Sequence, residues 1–307
     1  MIKARVDYRV RPAKHVERLM LADGLRRLHV FHPLSAYRYI GMGAQFFVDF
    51  SMFHRMLGIN LMTSLESDSA LFERCVFNRP FDSVPVTPGA SWDLFASMDF
   101  AEPTIVWMDY TGKLDRRMLG DVDTLILRLP PTSLILVTVN VDVDQVGEPP
   151  IGRRASLEER VGATAVPHGV SDSDLDGWRN ASVARQIFDE QVRASIVSRA
   201  DDTKYMKLFN FNYRDGARML TVGGILWRDE DAPKMVLADW QTLDAFRPAS
   251  DALSIELPTL TMRELAHLDK QLPTDGSAIS CPGLNAQELE SYASFYRYYP
   301  RYALIDV

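Results

Sequence analysis

From residue 37 to 142 short apolar runs alternate with amphipathic stretches, the pattern of repeated βα units on a parallel sheet. The run YRYIGMG at 37–43 predicts a first strand. Phe46, Phe47, Phe50, Phe53 and Leu57 then recur at helical spacing. INLMTSLE, ending at Glu66, predicts a second strand and SALFERCVF the helix after it; SVPV at 83–86 reads as a third, with a short helix over 93–98. TIVWMDY at 104–110 is the fourth, DRRMLGDVDTLILRLP its helix, and SLILVTVNV at 133–141 the fifth. The fifth is the most hydrophobic, as a strand covered on both faces should be. Further on, SVARQIFDEQVRASIVSR carries one helical stripe, and two strand-like runs, KYMKLFNFNYRDG and ARMLTVGGILWR, meet at Asp215-Gly216. Asp-Gly between apolar runs signals a hairpin, since both turn positions tolerate positive φ. The expected fold class is therefore α/β: a parallel sheet closed by a C-terminal antiparallel hairpin.

Three segments break this pattern and set the expected organisation. Residues 1–29 form a basic N-terminal arm and amphipathic helix, residues 30–229 the main domain, and residues 230–307 a small C-terminal α/β appendage. Inside the main domain, residues 143–181 are rich in Gly, Pro and charge, with a short helix at Ser156–Val161, and read as a lid-like insertion. In the appendage Thr261 and Glu264 make a capping box, and Leu289, Tyr292, Phe295 and Tyr296 line a helix ended by Pro300, after which a short strand is expected.

Composition changes this picture little. A chain of 307 residues, 47% hydrophobic and 24% charged, has ample material for a core, which excludes disordered, collagen-like and coiled-coil classes. Cys75 and Cys281 are too far apart for a zinc spacing and read as reduced thiols of a cytoplasmic protein. The most apolar stretch, LILRLPPTSLILVTVNV, is interrupted by Arg128, Pro130 and Pro131, so no membrane span is expected, and the charged MIKARVDYRVRPAK, with no continuous apolar segment behind it, does not read as a secretory signal. The net charge of -7 argues against wholesale coating of nucleic acid. Residues 1–29, however, hold eight Lys or Arg against three acids, and Arg9, Arg11 and Lys14 are candidates for contact with an anionic partner or nucleic acid.

Ligands of open α/β sheets bind beyond the carboxyl ends of the strands. Gly41 and Gly43 stand where the first strand turns into its helix, and Glu66 ends the second strand, where an acid can accept both hydroxyls of a ribose. A dinucleotide fingerprint would need a third glycine; GMGAQF has Phe46 there, and no GxxxxGK[ST] loop exists. Adenosyl cofactors lacking a pyrophosphate fit better. Asp109 and Tyr110, ending the fourth strand, are candidate catalytic residues over the cleft, and His168 in the lid is a candidate mobile acid or base. His54, inside a helix, reads as structural. Asp109, Asn140 and Asp142 could in principle offer oxygens to a hard cation, but the spacing is common and no metal is expected.

These features together resemble the class I S-adenosylmethionine-dependent methyltransferases over residues 30 to 228. More closely, YRYIGMGAQFFVDFSMFHRMLGINLMTSLESD with FERCVFNRPF and IVWMDYTGKL is similar to a bacterial O-methyltransferase family with little assigned chemistry. The resemblance implies a Rossmann-like sheet and S-adenosyl-L-methionine as cofactor. It implies cofactor contacts at Tyr39, Gly41, Gly43, Glu66 and Asp109, and a methyl acceptor, of unspecified identity and bound near Asp109, that takes the methyl group on oxygen. One departure matters: the family fingerprint begins with an acid where this chain has Tyr39, and Gln45 replaces its third glycine. Those substitutions leave open a second class, a non-catalytic cofactor-sensing or RNA-binding module on the same fold.

Overall fold

A computed structural model describes residues 11–144 and 152–301. One eight-stranded sheet organises them, in the order β3-β2-β1-β4-β5-β7-β6-β8. The strands are β1 (Arg38–Gly41), β2 (Leu61–Glu66), β3 (Val86–Pro88), β4 (Thr104–Lys113), β5 (Leu134–Asn140), β6 (Lys204–Asp215), β7 (Ala217–Trp227) and β8 (Leu253–Ile255). All neighbours pair in parallel except β7, which runs antiparallel to both β5 and β6. Gly216, at φ 109°, makes the turn between β6 and β7 that Asp215-Gly216 predicts.

Helices cover both faces, which is why the central strands are apolar throughout. On one side α1 (Pro12–Arg26), α2 (Val48–Leu57) and α3 (Ser69–Asn78) bury Leu21, Leu25, Phe50 and Phe53 against Tyr39, Trp107, Leu136 and Phe209. On the other, α4 (Ser91–Ser97), α5 (Arg116–Arg128) and α7 (Arg179–Ser198) pack Val122, Leu125, Ile187 and Phe188 on Val106, Val137 and Val222.

Several local expectations shift. The third strand lies at Val86–Pro88, a few residues beyond SVPV, because Val84 turns inward to the core before the ladder begins. The lid helix, α6 (Arg153–Val161), starts three residues early, and its Leu157 and Val161 join the core under α7. The described part of the insertion is thus docked. C-terminally come α8 (Ala232–Leu237), α9 (Met262–Asp269) with its Thr261–Glu264 capping box, and α10 (Ala286–Phe295). β8 extends the sheet beside β6, and Phe295 and Tyr298 enter the core that holds α1, so this region shares the main sheet and core. The strand expected after Pro300 lies outside the described residues.

The largest correction concerns the N-terminal helix. Val16, Leu21 and Leu25 are fully buried, and so are its charges: Lys14 is 2% exposed, Glu17 0% and Arg18 4%. Lys14 therefore offers no surface to a nucleic-acid backbone; its ammonium is spent on internal carboxylates. Arg9 lies outside the described residues, and Arg11 is half-buried at the start of α1.

Candidate functional site

β1 ends at Gly41, and the turn that follows closes on Phe47, whose left-handed backbone (φ 48°) caps α2. Tyr39 and Gly41 share a face of β1, and a Cβ on Gly41 would sit 2.5 Å from the Tyr39 hydroxyl. A Cβ on Gly43 would sit 2.4 Å from the Phe47 ring, and the Gly43 N–H donates to Ser64 Oγ at 3.1 Å. Both glycines are thus needed first by the aromatic side chains behind the turn.

In front of the turn, beyond the carboxyl ends of β1, β2 and β4, opens a cavity of about 420 Å³. Of the residues singled out in the sequence, Gly43, Glu66, Asp109 and Tyr110 line it. Tyr39 and Gly41 lie behind its wall, and His168 is exposed outside it. Arg18 and Asp49, which the sequence did not single out, line it as well.

Asp49 stands in the first turn of α2, where an acid suits the helix N-terminus. The Tyr39 hydroxyl donates to its carboxylate. A carboxylate delivered from α2 thus stands against the Tyr39 hydroxyl. Burial pushes the Asp49 carboxyl above its ordinary range, against the pull of the Arg18 guanidinium and the Tyr39 hydrogen bond. An acid in the opening turn of a helix, ten residues after Tyr39, was the available signal.

Glu66 combines two tasks. Its Oε1 accepts from the Asp68 N–H at 2.8 Å and its Oε2 from Cys75 Sγ at 3.3 Å, while the side chain faces the cavity. Asp109 is held from the opposite side of β1. Lys14 Nζ donates to its Oδ1 at 2.8 Å and to the Tyr213 hydroxyl at 3.1 Å, pairs with Glu17 Oε2 at 2.8 Å, and lies 4.4 Å from the centre of the Trp107 ring. Glu17 accepts from Thr221, whose hydroxyl meets Thr138 at 2.7 Å, and Thr138 accepts from Trp107 Nε1. Burial pushes Glu17 above the usual carboxylate range despite the Lys14 ammonium. Tyr110 donates its hydroxyl to Asp121, which also accepts from Ser91; burial and that carboxylate raise the phenol far above its ordinary value. Asp142, the other acid considered for a cation, pairs with Arg218 at 3.4 Å, and its N–H is capped by Asn140 Oδ1. Among the described residues no group of three or more His, Cys, Asp or Glu converges on a metal position.

Among solved structures the chain is similar to a "putative transferase" of Pyrococcus horikoshii (9% identity, 68% of this chain, 64% of that chain, TM-score 0.38). It is similar also to Trm1 of Pyrococcus horikoshii in complex with S-adenosyl-L-methionine (12% identity, 70% and 55%, TM-score 0.47). A third is an O-methyltransferase of Bacillus cereus in complex with SAH (11% identity, 73% and 93%, TM-score 0.38). The chain spans less than two thirds of the length of the first two. No curated protein sequence matches it. No helix among the described residues is long and apolar enough to cross a membrane. The model of one family, described as "Putative O-methyltransferase", matches residues 6–307, nearly the whole chain, and the chain belongs to that family.

Proposed function

We propose that this protein is an S-adenosyl-L-methionine-dependent methyltransferase acting on an oxygen nucleophile, with the cavity beyond β1, β2 and β4 as its cofactor site. The observation that carries this reading is the distribution of charge around that cavity. Glu66 stands on one side of β1, and Asp109 on the other, two strand spacings or roughly 10 Å away. Arg18 and Asp109 both lie close enough to Asp49 to act on its carboxyl. A ribose against Glu66 and a zwitterionic amino-acid group against Arg18 and Asp49 match that layout: guanidinium to carboxylate, carboxylate to ammonium. The volume suits a cofactor of this size.

When bound, S-adenosyl-L-methionine supplies a methyl group already activated by its sulfonium. The protein's part is alignment. Asp109, fixed by Lys14, orients the acceptor hydroxyl or takes its proton, while Tyr110, its hydroxyl committed to Asp121, is a wall of the site. His168 has no part in this reading. Two buried thiols, Cys75 and Cys281, accord with a cytoplasmic protein. The RNA-binding alternative loses one of the basic contacts it drew on, because Lys14 turns inward.

Titration calorimetry with S-adenosyl-L-methionine, its demethylated product and NAD tests the assignment. Binding of the first two and no binding of NAD is expected. Binding of NAD alone would overturn it.

A further inference from the structure

A second cavity, of about 300 Å³, lies away from the first, between the opening turns of α7, the carboxyl half of β6 and the segment leading into β8. None of its lining residues is shared with the first cavity. β6 is three strand positions from β4, roughly 14 Å across the sheet.

Its walls are built. Arg179, Ser182 and Arg185, three residues apart on α7, present one helical face to it. Across from them is Asn212, and the outer wall is residues 250–252, tied down by Asn210, whose Nδ2 donates to Ser250 O at 3.3 Å and Asp251 O at 2.8 Å. Trp178 closes one end, with the Arg218 guanidinium 5.8 Å from its ring centre.

Two of these polar groups are left without partners. Arg185 is only 7% exposed, yet it makes no hydrogen bond or ion pair with any described residue. Its nearest acids act on it at longer range: Asp189, already paired with Lys207 at 2.7 Å, and the exposed Asp251 on the cavity rim. Burial consequently pulls the guanidinium below its ordinary value. Asn212 is 8% exposed and its Oδ1 has no hydrogen-bond partner. Native proteins pair such groups, and a buried guanidinium calls for an oxyanion that can take its N–H fork.

We infer that this cavity is a second ligand site, taking the phosphate group of a small molecule between Arg185, Arg179 and Ser182, with the Asn212 amide turned to donate from its Nδ2 and complete the shell. The volume exceeds what a lone phosphate fills, so the group it is attached to occupies the remainder, against Trp178. The Asp251 carboxylate stays at the mouth, turned to solvent, and favours ligands that carry a hydrogen-bond donor beyond the phosphate.

The test is calorimetric titration of the full chain with inorganic phosphate and with glycerol 3-phosphate, in buffer free of other oxyanions. Binding is expected, and Arg185→Gln should weaken it about tenfold or more, the scale of a lost charge-assisted hydrogen bond. The same variant should bind S-adenosyl-L-methionine as the wild type does. Tighter binding of the ester than of phosphate marks a phosphomonoester as the ligand, and equal binding marks free phosphate. Because Arg185 is buried, two further variants guard against a failure to fold. Arg179→Gln, at an exposed position, should weaken binding a few-fold, and Asn212→Asp, which sets a carboxylate against the phosphate, should abolish it. No binding by the wild type, or unaltered binding in folded Arg179→Gln and Asn212→Asp proteins, would overturn the inference.

Discussion

Lys14 Nζ lies 2.8 Å from Asp109 Oδ1, across 95 positions of sequence. The contact joins the N-terminal helix to β4, at the residue after which its register with β5 shifts, on the floor of the larger cavity. With Glu17 and Tyr213 it forms a charged core that no solvent reaches on the helix side, Glu17 being fully buried. Breaking such a cluster by removing its one cation leaves two carboxylates facing each other.

Lys14→Met should therefore destabilise the fold by about 3 kcal/mol, read as a lower midpoint in urea unfolding. Adding Glu17→Gln, which removes the orphaned charge, should recover part of the loss. If the single variant costs no more than an exposed ion pair, ~0.5 kcal/mol, the cluster contributes nothing to stability.

Glu66 should matter to cofactor affinity. Glu66→Gln keeps an acceptor for the Asp68 N–H but loses the charged partner of the ribose hydroxyls. S-adenosyl-L-methionine binding should weaken by about 1–3 kcal/mol, measured by calorimetry on protein whose melting is unchanged. Wild-type affinity in that variant would remove Glu66 from the site.

Asp49 gives the site a pH dependence of definite sign. Burial raises its folded pKa above the ordinary carboxylate value, with Arg18 and the Tyr39 hydrogen bond opposing. Between the unfolded and folded values the native state holds the proton more tightly. The unliganded protein's share of stability from this group is thus present below the unfolded value and lost as pH rises through the folded one. Cofactor binding runs the other way, because the ammonium needs the ionised carboxylate. Affinity should rise with pH through that same window, and Asp49→Asn should bind weakly with the rise gone. A wild-type pH profile of binding in Asp49→Asn would show that Asp49 does not hold the amino group.

How much of this was legible beforehand follows from what each signal depends on. The sheet was readable because five apolar runs and an Asp-Gly turn are local patterns, and β1, β2, β4 and β5 lie where those runs are. Gly43, Glu66, Asp109 and Tyr110 came together because strand ends meet at one edge in any parallel sheet. Lys14 was misread for a physical reason: a charge pattern along one helix cannot tell solvent from a carboxylate 95 positions away. β8 was missed since three residues pairing with an edge strand carry no period. Asp49 was hidden because it reaches the site from a helix, in place of an acid the fingerprint puts on the strand.

The glycine turn makes a separate prediction about packing. In Gly41→Ala the new methyl would meet the Tyr39 hydroxyl at 2.5 Å, behind the cavity and not within it. A stability loss of about 1–3 kcal/mol is expected in urea unfolding, the range for overpacked cores. Unchanged stability with lost cofactor binding would instead put Gly41 in direct contact with the ligand.

Asp109 should matter more for turnover than for folding. Its carboxylate, on β4 where the register with β5 shifts, both faces the cavity and is held in place by Lys14 at a defined distance. Asp109→Asn keeps the shape and an acceptor for the Lys14 ammonium, and Glu17 still balances that charge, so the variant should fold and bind S-adenosyl-L-methionine. What it loses is the negative charge aimed at the acceptor. With an acceptor in hand, the methyl-transfer rate should fall by at least about 10²-fold, the low end of what a positioned proton acceptor contributes. The fall should appear in kcat at saturating cofactor. If the folded, cofactor-bound variant transfers methyl at the wild-type rate, Asp109 is a strut for Lys14. The proton must then leave the acceptor to solvent.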